Sequence, residues 1–131
     1  MLFSALDSSA SGLTAERLRM DVISQNLANV QTTRTAGGGP FRRQMVEFTA
    51  LPLSAQSPGG VAVTAIVSDP SPLPLRYAPG TPGANAQGYV RMPNVNVTSS
   101  MVDLLAASRA YDANATAFSD FVKQGRAAMR I

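Results

Sequence analysis

All nine prolines of the chain fall between Pro40 and Pro93, and eight of the ten glycines fall between Gly37 and Gly88. Proline removes a backbone donor and clashes inside a helix, and glycine weakens helix interiors. The two flanks keep only Gly12 and Gly125, so they can form long helices where the middle cannot. A length of 131 residues suits one unit with extensions. The sequence thus predicts three parts: an N-terminal helical segment over 1–35, a β-hairpin and loop region over 36–95, and a C-terminal helical segment over 96–131.

The first flank reads as a helix from Leu2 to Val30. Leu6, Leu13, Met20 and Leu27 recur every seven residues, and Leu2, Ser9, Glu16, Ile23 and Val30 fill the alternate seam positions. The polar run 7–11 and Gly12 weaken its first turns. In the last flank, Val97, Met101, Leu104, Ser108, Tyr111, Ala115, Phe118, Val122, Gly125 and Met129 follow a 4-3-4-3 spacing, the signature of a coiled coil. Asn96 or Ser100 can cap this helix, and Asp103 would complete a capping box with Ser100. From Val97 to Arg130 it would be a rod of about 50 Å. The expected fold is mainly α: two long terminal helices paired as a coiled coil, with a small β-hairpin and loop region between them.

Three stretches of the middle carry strand signals: 42–51, the alternating 61–67 ("VAVTAIV") and 75–78. The runs "DPSPLP" and "APGTPGANAQG" interrupt them, which predicts a small hairpin with long loops rather than a sandwich.

Residues 24–30, "SQNLANV", raise a separate question. They are helical in pattern but lie in an uncharged stretch between Asp21 and Arg34, with Ser24, Gln25, Asn26 and Asn29 at the polar positions. Amides can donate and accept across a protein contact without the desolvation cost of a charge, so this face is expected to meet other protein. A single helix–helix seam would also leave Val22, Ala28, Val102, Leu105, Ala106 and Ala107 uncovered, so the terminal segments are expected to need neighbours for their order.

Several function classes fit poorly. Without cysteine or histidine there is no thiolate and no imidazole base. The eight carboxylates are spread along the chain, which argues against a paired-acid site. The Gly-rich 36–40 lacks the Lys-Ser/Thr of a phosphate loop. Ten arginines and one lysine give a net charge of +3, but apart from Arg42-Arg43 they are scattered, so no nucleic-acid stripe is read. The expectation is no enzyme, no cofactor, no metal, no nucleic acid and no small-molecule substrate. No apolar run approaches the ~18 residues of a membrane span. The first residues lack the basic and continuous apolar regions of a cleaved secretory signal. A coiled-coil adaptor or an amphipathic membrane-surface binder is the competing class, although amides replace the cations that membrane-surface helices carry.

Four stretches together resemble one family. "LRMDVISQNLANVQTT" (18–33), "GPFRRQMVEF" (39–48), "VSDPSPLPLRYAPGTPGANAQGYVRMPNVNV" (67–97) and "MVDLLAASRAYDANATAF" (101–118) are similar to the bacterial flagellar basal-body rod proteins, with "GYVRMPNVNV" and the short length pointing to the proximal-rod type C. The resemblance implies a structural subunit of a helical tube that transmits motor torque and encloses an export channel, its terminal helices lining that channel. It implies other rod subunits and copies of itself as partners, with the MS-ring and its rod adaptor beyond them. It implies a periplasmic rod location, reached through the flagellar type III export apparatus without a cleaved signal peptide. The residues expected to carry assembly are Leu6, Leu13, Met20, Ile23, Gln25, Asn26, Leu27, Asn29 and Val30 on the first helix, and Met101, Leu104, Leu105, Arg109, Tyr111, Asn114 and Phe118 on the second.

Overall fold

The structure is a computed structural model and describes residues 2–130. Its elements are helix α1 (Leu2–Ala28), strands β1 (Gln44–Ser54), β2 (Ser57–Ser68), β3 (Leu75–Tyr77) and β4 (Tyr89–Arg91), and helix α2 (Val97–Met129). The Leu2 side chain, given a seam position above, lies outside the described residues. Asn96 caps α2, its side chain accepting from the Ser99 N–H at 2.8 Å. The expected Ser100–Asp103 capping box does not form; Asp103 turns instead toward Arg43, at 3.9 Å.

The two helices run antiparallel. Gly12 lies against the Asn114 side chain, and the 19–26 stretch of α1 shares a cavity with Ser100 and Asp103 at the start of α2. The deepest burial on α1 falls on Ser9, Gly12, Ala15, Val22, Ile23 and Asn26, and on α2 it falls on Ser100 and Ala107. Leu6, Leu13, Met20 and Leu27, expected at the centre of the seam, are only half-buried. Small residues let two helix backbones approach closely. A Cβ at Gly12 would sit within 3 Å of the Asn114 amide, so a bulkier residue would push the helices apart or displace that side chain.

β1 and β2 form one antiparallel hairpin and β3 and β4 a second, very short one. The first hairpin turns through Ala55-Gln56, with Ser54 paired to Ser57. Its register breaks once: Glu47 pairs with Ala65 and Phe48 with Val63, leaving Thr64 as the extra residue of a bulge, which increases the local twist. The expected strands at 42–51, 61–67 and 75–78 all appear, but β1 and β2 run on through Pro52, Pro58 and the Gly59-Gly60 pair to 11 and 12 residues. Helix is consequently 46% of the chain, and the fold is mixed rather than mainly α. β4 has only three residues, too few for a periodic pattern to register. In the second hairpin Tyr77 and Tyr89 meet edge-on at 5.3 Å, and the Asn85 side chain folds the connecting loop by accepting from the N–H groups of Gln87 and Tyr89.

Candidate assembly surface

The first hairpin is fastened along α1 at two points. At one, the Asn26 amide donates to the Gln44 carbonyl at 2.9 Å and accepts from the Gln44 N–H at 3.0 Å. At the other, the Val61 N–H donates to the Ser11 hydroxyl at 3.1 Å, while that hydroxyl donates to the Ser8 carbonyl at 2.7 Å. The spacings match: helix from Ser11 to Asn26 rises about 22 Å, and strand from Gln44 to Ala50, the partner of Val61, spans about 20 Å. Gly60 makes the second fastening possible. Its φ is 106°, and an added Cβ would meet the backbone of Ser8 at 3.3 Å.

This arrangement corrects the expectation for Asn26. Only 2% exposed, it serves the chain's own hairpin and is not free for a neighbour. Its partner is a backbone distant in sequence, which the amide's paired donor and acceptor fit as a second strand would. Asn29 is used locally as well. Its side chain donates to the Gln25 carbonyl at 2.8 Å, which also accepts from the Asn29 backbone N–H at 3.1 Å. Ser24 and Gln25 are exposed.

A polar knot joins the base of the hairpin to the rest. Arg43 pairs with Asp69 at 2.9 Å, and its backbone N–H donates to the Asn94 side chain at 2.7 Å. Asn94 in turn donates to the carbonyls of Asp69 and Ser71, and Arg42 donates to the same two carbonyls. Hydrogen bonds from Ser71, side chain and then backbone N–H, together with the Arg43 guanidinium, lower the Asp69 pKa from 3.8 to about 2. The knot fixes the hairpin's two ends, the β4–α2 connection and, through Asp103, the start of α2 relative to one another. Asp69 and Asn94 carry no signal in the sequence, because the contacts that tie them to Arg43 and to each other span more than twenty residues.

The outward surface is apolar in one place above all. On α2, Val97, Met101, Val102 and Leu105 are 44–61% exposed and lie side by side on the face turned from Ala107. Phe3 and Met129 add exposed apolar groups at the far end of the helix pair. Of the residues expected to carry assembly, Gln25, Met101, Leu105 and Arg109 are exposed. Leu6, Leu13, Met20, Leu27, Asn29, Val30, Leu104, Tyr111, Asn114 and Phe118 are half-buried, while Ile23 and Asn26 are buried inside the chain. Among the described residues, no helix is long and apolar enough to cross a membrane.

Residues 6–34 match the family model described as flagella basal body rod protein, and residues 86–120 match the one described as flagellar basal body rod FlgEFG protein C-terminal. The first match takes in α1 and the amide stretch, the second β4 and the outward stripe of α2. The flagellar basal-body rod protein FlgC of Borreliella burgdorferi is 42% identical, over 99% of this chain and 97% of its own length. That of Bacillus subtilis is 44% identical over 89% of each chain. That of Salmonella typhimurium is 40% identical over 86% of this chain and 84% of its own. These are names of structural rod proteins, and no catalytic function is indicated. The chain belongs to the FlgC family of flagellar basal-body rod proteins and is a structural subunit of the flagellar basal-body rod.

Proposed function

We propose that this rod subunit builds the proximal part of the rod, assembling helically with copies of itself and other rod subunits into a tube that transmits motor torque and encloses the export channel. In that tube α1 and α2 pair as a coiled coil in the inner layer, and the hairpins stand outside it. The MS-ring and its rod adaptor meet the assembly at its base. The chain reaches its periplasmic site through the flagellar type III export apparatus. The ends of the helix pair, away from the hairpin, gain their order from neighbours.

The observation that supports this reading best is the outward stripe of α2. Val97, Met101 and Leu105 follow one another at four-residue steps, with Val102 beside them. Contiguous exposed apolar side chains mark a protein contact, where scattered ones do not. Their position opposite the α1-facing side allows a head-to-tail contact between subunits, and such contacts build open helical assemblies when the rotation does not close.

Leu105→Asp tests the reading. Leu105 is 54% exposed, so the chain should remain folded and present at normal amount in cells, while rods and motility are lost. Normal rod yield and normal motility would overturn the assignment of this face.

A further inference from the structure

The positive charge of the chain is concentrated in its middle. Between α1 and α2 stand Arg34, Arg42, Arg43, Arg76 and Arg91 against only Glu47 and Asp69, whereas the helices are close to balanced. Three of these arginines have partners inside the chain. Arg43 pairs with Asp69, Arg42 donates to the carbonyls of Asp69 and Ser71, and Arg76 donates to the Gln31 side chain at 3.1 Å. Arg34 and Arg91 are exposed and, among the described residues, enter none of the ion pairs.

Arg34 and Arg91 line a single cleft. The rest of its wall is threonine, valine, proline and the glycines Gly38, Gly39 and Gly83, and no carboxylate lines it. Nothing lies within 4 Å of where a Cβ would stand at any of the three glycines. Gly38 and Gly83 hold φ of 94° and 93°, which side chains other than glycine's rarely adopt. The cleft is therefore lined by glycine backbone and small or apolar side chains together with two arginines, with no counter-charge.

We infer that this cleft is a carboxylate-binding site that receives an acidic side chain projecting from a neighbouring protein subunit. Guanidinium offers a planar fork of donors that matches a carboxylate, and two arginines lining one recess favour a single projecting anion. A membrane surface is a poorer fit. Binding to it uses an amphipathic helix with bulky apolar side chains beside the cations, and this rim has glycine and proline in their place. That the occupant comes from a neighbouring subunit rests on the rod-assembly reading; the carboxylate chemistry does not.

The test uses the full chain with labelled arginine and glycine, titrated with triglutamate at low ionic strength and, in parallel, with triglutamine. Triglutamate should move the Arg34 and Arg91 side-chain Nε–H resonances and the Gly38 and Gly83 amides, and triglutamine should not. Arg34→Gln and Arg91→Gln should each weaken the response about tenfold, the scale of one charged hydrogen bond, while Arg17→Gln on α1 leaves it unchanged. Absence of shifts, or wild-type affinity in both cleft variants, would overturn the site. So would sedimentation with phosphatidylglycerol-containing vesicles that depends on Arg34 and Arg91 while triglutamate leaves their resonances in place. In cells, Arg34→Glu with Arg91→Glu should block rod assembly. Triglutamate binding together with normal rods in that double variant would overturn the neighbouring-subunit occupant while leaving the Leu105 result to judge the rod reading.

Discussion

The Asn26 side chain and the Gln44 backbone meet as two strands would, with one hydrogen bond of 2.9 Å and one of 3.0 Å between a helix amide and the first residue of β1. This pair decides where the hairpin lies along α1. Leaving a buried polar group without a partner costs about 1–3 kcal/mol, so Asn26→Ala should reduce protection of the Gln44 amide against hydrogen exchange about 5- to 150-fold. Asn26→Asp keeps an acceptor for the Gln44 N–H but turns a carboxylate on the Gln44 carbonyl, and the loss should be at least as great. Unchanged Gln44 protection in both variants would show that the fastening is dispensable.

Gly60 and Gly80 form a natural comparison. Both hold positive φ, at 106° and 83°, but a side chain at Gly80 would enter open space whereas one at Gly60 would strike Ser8 and Ser11. Gly80→Ala should cost only the backbone penalty of about 1–2 kcal/mol. Gly60→Ala should cost that and also separate the hairpin from α1, seen as lost protection of the Val61 amide. Equal losses in the two variants would contradict the close packing at Ser8.

Asp69 gives the fold a dependence on acid. Its folded pKa of about 2 lies below the unfolded value of 3.8, so its contribution is complete above the unfolded value and is lost as pH falls through about 2. Protection of the Ser71 and Arg43 amides should fall across that window in the wild type. In Asp69→Asn protection should already be lower at neutral pH and vary less through the window. A wild-type profile parallel to that of Asp69→Asn between pH 4 and pH 2 would exclude the carboxylate as the cause.

Gly12 tests the helix pair. Gly12→Leu would force a branched side chain into the space of the Asn114 amide, so protection should fall in both helices around residues 12 and 114, while the Gln44 amide keeps its own. Overpacking of this kind costs about 1–3 kcal/mol. Full protection on both sides would mean that the helices are not in close contact there.

These residues also show what was readable in advance. The helix limits were legible because proline and glycine are excluded from both flanks, and Asn96 was legible as a cap because capping is local. β2 was visible through alternation, and β1 and β3 as strand-forming stretches between the proline- and glycine-rich runs. The closest helix approach was not, because it is built from Gly12, Ala15, Ala107 and Asn114, whereas the eye follows leucines. The three-residue spacing of Ser9, Gly12 and Ala15 was the signal that could have found it. The role of Asn26 was hidden for a different reason. Its amide looked free for a neighbour, and only the fold brings Gln44 to it. Of the residues expected to carry assembly, Met101 and Leu105 stay exposed on the outward side of α2, and they are the ones the proposal uses.

The most direct test of the account is site-specific photo-crosslinking in assembled basal bodies, with a benzophenone amino acid placed at Val102 in one strain and at Ala107 in another. Val102 is 61% exposed on the outer face of α2 and Ala107 is fully buried against α1. The account predicts a product joining Val102 to a neighbouring rod subunit, and only intrachain product from Ala107. Intact rods that yield no intermolecular product from Val102 would contradict it.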